Sequence, residues 1–245
     1  MYKSLYKWSS PQWFYVKSQI IARYFGALAA LFLMVGLLFA LVFSPPDYQQ
    51  GDTVRIMYVH VPCALFSMLC FAAMGAFSLL LLVWRVKLAG ILIRSLAVIG
   101  FCMSLIALIS GSLWGKPMWG TWWIWDARLT SEFVLALLYL AILSIPSSFR
   151  QQEIAEKGMA IVSIIGLIDL PIIHYSVYWW QTLHQKSSFS FGEKPLIAPS
   201  MLIPLALMAL GFAFFIGWFV LKSAQAELLR REYRANWILQ VLNRG

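Results

Sequence analysis

The chain has 245 residues, 61% of them hydrophobic and only 12% charged, with a formal net charge of +9 and a mean hydropathy of +0.76. A water-soluble domain carries roughly twice that share of charge, so the composition excludes one and implies an integral membrane protein. The positive excess is accounted for by where the basic residues fall along the chain, and it calls for no nucleic-acid partner.

Continuous apolar runs predict six transmembrane helices, over residues 20–43, 59–84, 91–113, 131–149, 159–180 and 200–221. Each is close to the roughly 20 residues a helix needs to cross the hydrocarbon, and spanning strands would instead show short segments of alternating polarity. The predicted fold is an all-α integral membrane protein, a single six-helix domain over residues 1–245. Residues 1–19 mix lysines with Tyr2, Tyr6, Trp8, Trp13, Phe14 and Tyr15 around Pro11, the pattern of an interfacial anchor. The first apolar run is too long for a cleaved signal peptide and is followed by Ser44-Pro45-Pro46, so it is expected to remain as a span. If the N-terminus is cytoplasmic, all but five of the 19 Lys and Arg residues lie on the inner side, the exceptions being Arg55, Lys116, Arg128, Lys186 and Lys194. This positive-inside bias predicts that both termini are cytoplasmic.

The first outer loop runs through Asp52 and Arg55 to His60, where Pro62 marks a first helical turn and puts the imidazole near the membrane surface. A histidine there is either an interfacial hydrogen-bonder or a ligand. Cys63, Cys70 and Cys102 have neither metal-ligand nor redox-pair spacing and read as small packing residues. Arg23 and Arg94, close to the inner ends of their spans, read as snorkelling side chains. The third span closes with Ser110-Gly111-Ser112, small residues that allow close helix approach. Thr130 as a cap and Glu132 near the positive end of the helix dipole mark the start of the fourth span. The fifth span holds Asp169, Pro171 and His174. Its carboxylate is either functional or a neutral, hydrogen-bonded acid beside backbone freed by the proline, and His174 is expected to bond across helices. His184 then follows on the outer side, in a loop over residues 181–199 long enough to fold over a ligand. In the tail, residues 222–245, Leu229, Tyr233, Trp237 and Val241 recur every fourth residue, as in an amphipathic helix on the inner leaflet.

Between the third and fourth spans lies WGKPMWGTWWIWDAR, residues 114–128, within an expected outer loop over 114–130. It holds Trp114, Trp119, Trp122, Trp123 and Trp125 out of 12 tryptophans, with Asp126 and Arg128 directly behind them. Such a cluster suits either a headgroup-level aromatic belt or a large planar ligand, and the density with a fixed acid and arginine favours the second. The predicted topology brings this stretch to the same face as His60 and His184. Two histidines from different helices can offer one nitrogen each to opposite faces of a metal, and a broad aromatic surface suits a flat macrocycle. Together these describe haem, whose carboxylates need cations such as Arg55, Lys116 or Arg128. A bare zinc or copper site would want three or four ligands close together. Asp126 is placed to bond an indole N–H, Arg128 or an axial imidazole.

Residues 119–128, WGTWWIWDAR, resemble the tryptophan-rich WWD signature of bacterial haem-handling proteins of cytochrome c maturation, matching at Trp119, Gly120, Trp123, Trp125, Asp126 and Arg128. With six spans and one outer histidine on each side of the motif, the whole chain is similar to the CcmC family, which presents haem to the haem chaperone CcmE. The resemblance implies that His60 and His184 are the axial ligands of the iron of haem b, carried as transient cargo. It also implies that the five tryptophans, Asp126, Arg128 and Arg55 surround the cargo on the periplasmic face of a bacterial inner membrane. Implied partners are CcmE and a membrane complex of CcmA, CcmB and CcmD, with ATP hydrolysis on CcmA; this sequence holds no Walker motif, and no enzyme activity is expected of it. Cytochrome c-haem synthases of the same superfamily have more spans and a further histidine pair inside the membrane, where this chain has only His174. The alternatives are a permease for haem or another solute, with Asp169, Pro171 and His174 as its midplane features, and an electron-transfer cytochrome b, against which the surface positions of His60 and His184 count.

Overall fold

The computed structural model describes residues 10–184 and 197–238. Helix α1 (Pro11–Leu38) widens into a π-helical turn (Phe39–Phe43), and a 3₁₀ turn (Asp52–Ile56) leads into α2 (Met57–Trp84). Then follow α3 (Lys87–Trp119), α4 (Ala127–Ser148), α5 (Gln152–Gly166), α6 (Asp169–Trp179) and α7 (Pro199–Arg231). Because α5 and α6 share one span, the described residues contain six helical stretches long and apolar enough to cross a membrane, the expected all-α, six-span class.

Local chemistry sets the element ends. Pro45 and Pro46 cannot donate to a continuing helix, so α1 and its wide turn stop at Ser44, whose N–H bonds the Phe39 carbonyl at 2.8 Å. Residues 47–51 then fold into a tight loop: Asp47 and Gly51 exchange backbone hydrogen bonds, and the Asp47 carboxylate accepts from the N–H groups of Gln49 and Gln50 at 2.9 Å each. The fifth span, expected to be continuous, is broken between Gly166 and Asp169, just ahead of its proline. Pro171 leaves the Leu167 carbonyl without an i+4 donor, and the chain takes tighter i−3 bonds as it enters α6, Ile168 to Ile165 and Leu170 to Leu167.

The core lies between α2, α3, α4 and the α5–α6 span, around Phe71, Met74, Ile93, Leu135, Tyr139 and Ile173. Gly100 lets α4 come close, since a Cβ there would stand 2.3 Å from the Tyr139 hydroxyl, which donates to the Ser67 carbonyl at 2.6 Å. Cys63 and Cys70 are buried in this core, whereas Cys102 is exposed on the bundle surface. A second apolar cluster joins Ala40, Val54, Met57, Tyr58, Met201 and Leu205, tying the ends of α1 and the starts of α2 and α7 together.

Several sequence expectations are corrected. The segment read as an interfacial anchor through residue 19 is helical from Pro11, with Tyr15 and Ser18 buried and Ser18 accepting from Gln225 Nε2 at 2.9 Å. Arg94 does not simply snorkel, because its guanidinium lies 3.7 Å from Glu227. The tail begins as a continuation of α7, and its buried stripe is Ala224, Gln225 and Leu228 rather than the one through Leu229 and Tyr233. Val241 and most of the outer loop over 181–199 lie outside the described residues.

Candidate functional site

His60 stands in the first turn of α2 and faces α3, where a Cβ on Gly111 would lie 3.0 Å from its Cε1. A larger residue there would press on the ring and make it shift. Its Nδ1 lies 3.0 Å from the Ala107 carbonyl and 3.1 Å from Ser110 Oγ. A carbonyl can only accept, so Nδ1 carries the proton and Nε2 keeps its lone pair free for a ligand. Trp114, one turn further along α3, meets the same ring edge-on at 5.7 Å and is itself anchored by donating from Nε1 to Gln50 Oε1 at 2.8 Å.

His184 is held in the same manner by different partners. Its Nδ1 donates to Asp126 Oδ2 at 3.3 Å, and its ring packs edge-on to Trp119 at 4.7 Å. Asp126 is fixed as the N-cap of α4, its Oδ1 accepting from Leu129 N–H at 2.8 Å. Burial pushes the Asp126 carboxyl up, but the bonds from His184 and from the Leu129 and Arg128 N–H groups outweigh it and hold the group below the usual carboxylate range. The cap is therefore Asp126 and not Thr130, and Glu132 lies past the first turn. Glu132 is buried and accepts from Ser67 Oγ at 3.0 Å and Ser104 Oγ at 2.9 Å, cross-linking α2, α3 and α4 beneath the histidines.

Both histidines thus sit at one end of the bundle, against the same helix. His60 packs at the level of Gly111, and the Trp119 ring that meets His184 lies back over Gly115, about one turn further along α3. The five tryptophans divide three ways. Trp114 and Trp119 belong to α3, which runs on past the expected span and shortens the loop to residues 120–126. Trp123 packs inward against Trp125 and Phe133, with its indole N–H buried and unpaired. Trp122 and Trp125 stand out, 55% and 74% exposed, Trp122 under the Lys116 ammonium at 5.7 Å.

The cations expected to meet carboxylates are partly committed to the fold. Arg128 donates to the Ile173 carbonyl at 2.7 Å, joining α4 to α6, and Lys116 to the Gly120 carbonyl at 2.9 Å. Arg55 bonds the Leu41 carbonyl and lies 3.0 Å from Asp52, leaving its buried Nε without an acceptor. His174 is corrected as well: it is exposed, with its ring edge-on to the neighbouring Tyr175 at 4.8 Å, and among the described residues it does not bond across helices. Asp169 begins α6 at the break in the fifth span, buried, with Oδ2 unpaired. Gln50, Ser110, Gly111 and Phe133 were not singled out as site residues by sequence. Ser110 and Gly111 left a signal, as small residues inviting close approach, and what lies against both is the His60 imidazole.

Fold and site define a multi-pass membrane protein whose one end gathers, among tryptophans, two imidazoles whose Nε2 atoms have no partner among the described residues. Comparison with known proteins gives the family. The model for CcmC, "Heme exporter protein C", matches residues 4–239. The chain is 42% identical to the "Heme exporter protein C" of Haemophilus influenzae over 238 residues, covering 97% of each chain. It is 39% identical to that of Escherichia coli K12 over 246 residues, 100% of this chain and 99% of the other. It is also 46% identical over 187 residues to a "Putative cytochrome c biosynthesis ccmC-like mitochondrial protein" of Marchantia polymorpha, covering 76% of this chain and 78% of that one. The chain belongs to the CcmC family. It is a haem-handling membrane protein of cytochrome c biogenesis and not an enzyme.

Proposed function

We propose that the chain holds haem b as transient cargo between His60 and His184, on the periplasmic face of a bacterial inner membrane, and presents it to the chaperone CcmE. The observation that carries this reading is the matched state of the two imidazoles. Each is fixed through Nδ1, one by a carbonyl and one by a carboxylate, and each has an Nε2 without a partner among the described residues at the same end of the bundle. The surroundings suit the cargo: Trp114 and Trp119 flank the two rings, and the buried Arg55 Nε and Trp123 Nε1 are donors still lacking acceptors. The positive-inside bias supports a periplasmic site and cytoplasmic termini. Trp122 and Trp125 offer the exposed aromatic surface a chaperone would meet. CcmA, CcmB and CcmD complete the proposed complex, with ATP hydrolysis on CcmA.

The test is the absorption spectrum of the detergent-purified chain. Low-spin haem bands are expected, lost in His60→Ala or His184→Ala and kept in His174→Ala; bands that survive both outer-histidine changes would sink the proposal. One observation favours a second reading, passage of a solute through the bundle: Asp169 is a buried carboxylate, its Oδ2 without a partner, at a helix break within a span. That reading requires Asp169→Asn to abolish delivery while the outer-site spectrum stays intact.

A further inference from the structure

We infer that the cleft between α1 and α7 around Arg23 and Lys222 binds the phosphodiester headgroup of an anionic membrane phospholipid. The cleft has a volume of about 340 Å³, and its rim carries Arg23, Lys222, Gln19 and Trp218 over a floor that includes Ala22 and Gly26. All its polar lining groups can donate, and none of its lining residues is acidic. Both cations are exposed, and neither has an ion pair among the described residues. The other cleft of similar size, lined by Arg94 and Arg230, differs on this point because it contains its own counter-charge, Glu227.

Depth selects the ligand. The second apolar cluster fixes the ends of α1 and the start of α7 beside the histidine end. Counted from Phe43 and Pro199, Arg23 and Lys222 lie about 30 and 35 Å along their helices, one hydrocarbon thickness away. Two cations therefore meet at the level of the opposite headgroup layer, in a groove open to lipid. Basic pockets between spans at that level match acidic headgroups, with each Lys or Arg contributing on the order of 1 kcal/mol of attraction, or about fivefold. Gly26 keeps the groove open beside Trp218, since a Cβ there would stand 3.1 Å from the indole Nε1.

The experiment titrates the delipidated, detergent-purified chain with phosphatidylglycerol, phosphatidylethanolamine or inorganic phosphate, reading thermal unfolding and, by native mass spectrometry, bound lipid. A saturable stabilisation by phosphatidylglycerol alone is expected, weakened tenfold or more in R23Q/K222Q and retained in R23K/K222R. The single variants R23Q and K222Q, each expected to weaken binding about fivefold, serve if the double variant does not fold. Equal responses of wild type and glutamine variants would overturn the inference, as would stabilisation by inorganic phosphate to the same extent. So would a haem band that survives His60→Ala and disappears in R23Q/K222Q, because the cleft would then be a porphyrin-carboxylate site.

Discussion

At the end of the bundle away from His60, Arg231 donates to both Glu156 and Glu227, Arg94 stands 3.7 Å from Glu227, and Arg230 completes the cluster. At the His60 end each histidine bonds the fold through Nδ1, and the Arg55 Nε and Trp123 Nε1 donors and both Nε2 atoms have no hydrogen-bond partner among the described residues. Charges satisfied by one another hold α3, α5 and α7 together and have nothing left to offer a ligand. Groups satisfied on one side only are rigid and still reactive on the other, which is what a site for a removable cargo needs.

The largest expected break in this contrast is His60→Ala or His184→Ala, which should erase the low-spin haem spectrum while the helical content by circular dichroism stays unchanged. The reverse experiment is Arg231→Met. It strands the nearly buried Glu156 carboxylate and should cost about 3–5 kcal/mol of stability by chemical unfolding, with the haem spectrum of the folded fraction intact. Asp126→Asn comes next, removing the carboxylate behind His184; haem affinity by titration should fall about ten- to a hundredfold. A fall in affinity as large in Arg231→Met as in Asp126→Asn would erase the distinction between the two ends.

The smallest effect is a pH dependence. Asp126 has its folded pKa depressed, so its contribution to stability is fully present above the unfolded carboxylate value of about 3.9 and is lost only as pH falls through the lower folded value. The stability gap between wild type and Asp126→Asn should therefore persist from neutral pH down to about 4 and close below it, followed by tryptophan fluorescence.

Hydropathy made the six spans legible because hydrocarbon tolerates little else, but it did not show the break in the fifth, since the residues around Pro171 stay apolar. Helix ends were less legible. Once α3 leaves the hydrocarbon its residues turn polar and aromatic, so the sequence from Trp114 to Trp119 reads as loop although it is helix through Pro117. The site's membership was half legible: His60, His184 and the tryptophans stood out by type. Their fastenings did not, because Ala107 acts through a backbone carbonyl and Gly111 through what it lacks, and neither function is visible in a side chain. Arg128 and Lys116 looked like free cations because carbonyl acceptors such as those of Ile173 and Gly120 carry no sequence signature.

The length of α3 has one more outcome. Its 33 residues rise about 50 Å, while the oily layer is roughly 30 Å deep. Measured from Lys87, the Gly111 level stands about 36 Å up and Trp119 about 48 Å. An upright α3 therefore works as a mast: under the proposed function it would lift the cargo clear of the acyl chains, where a water-borne visitor can collect it without wetting its own surface in fat.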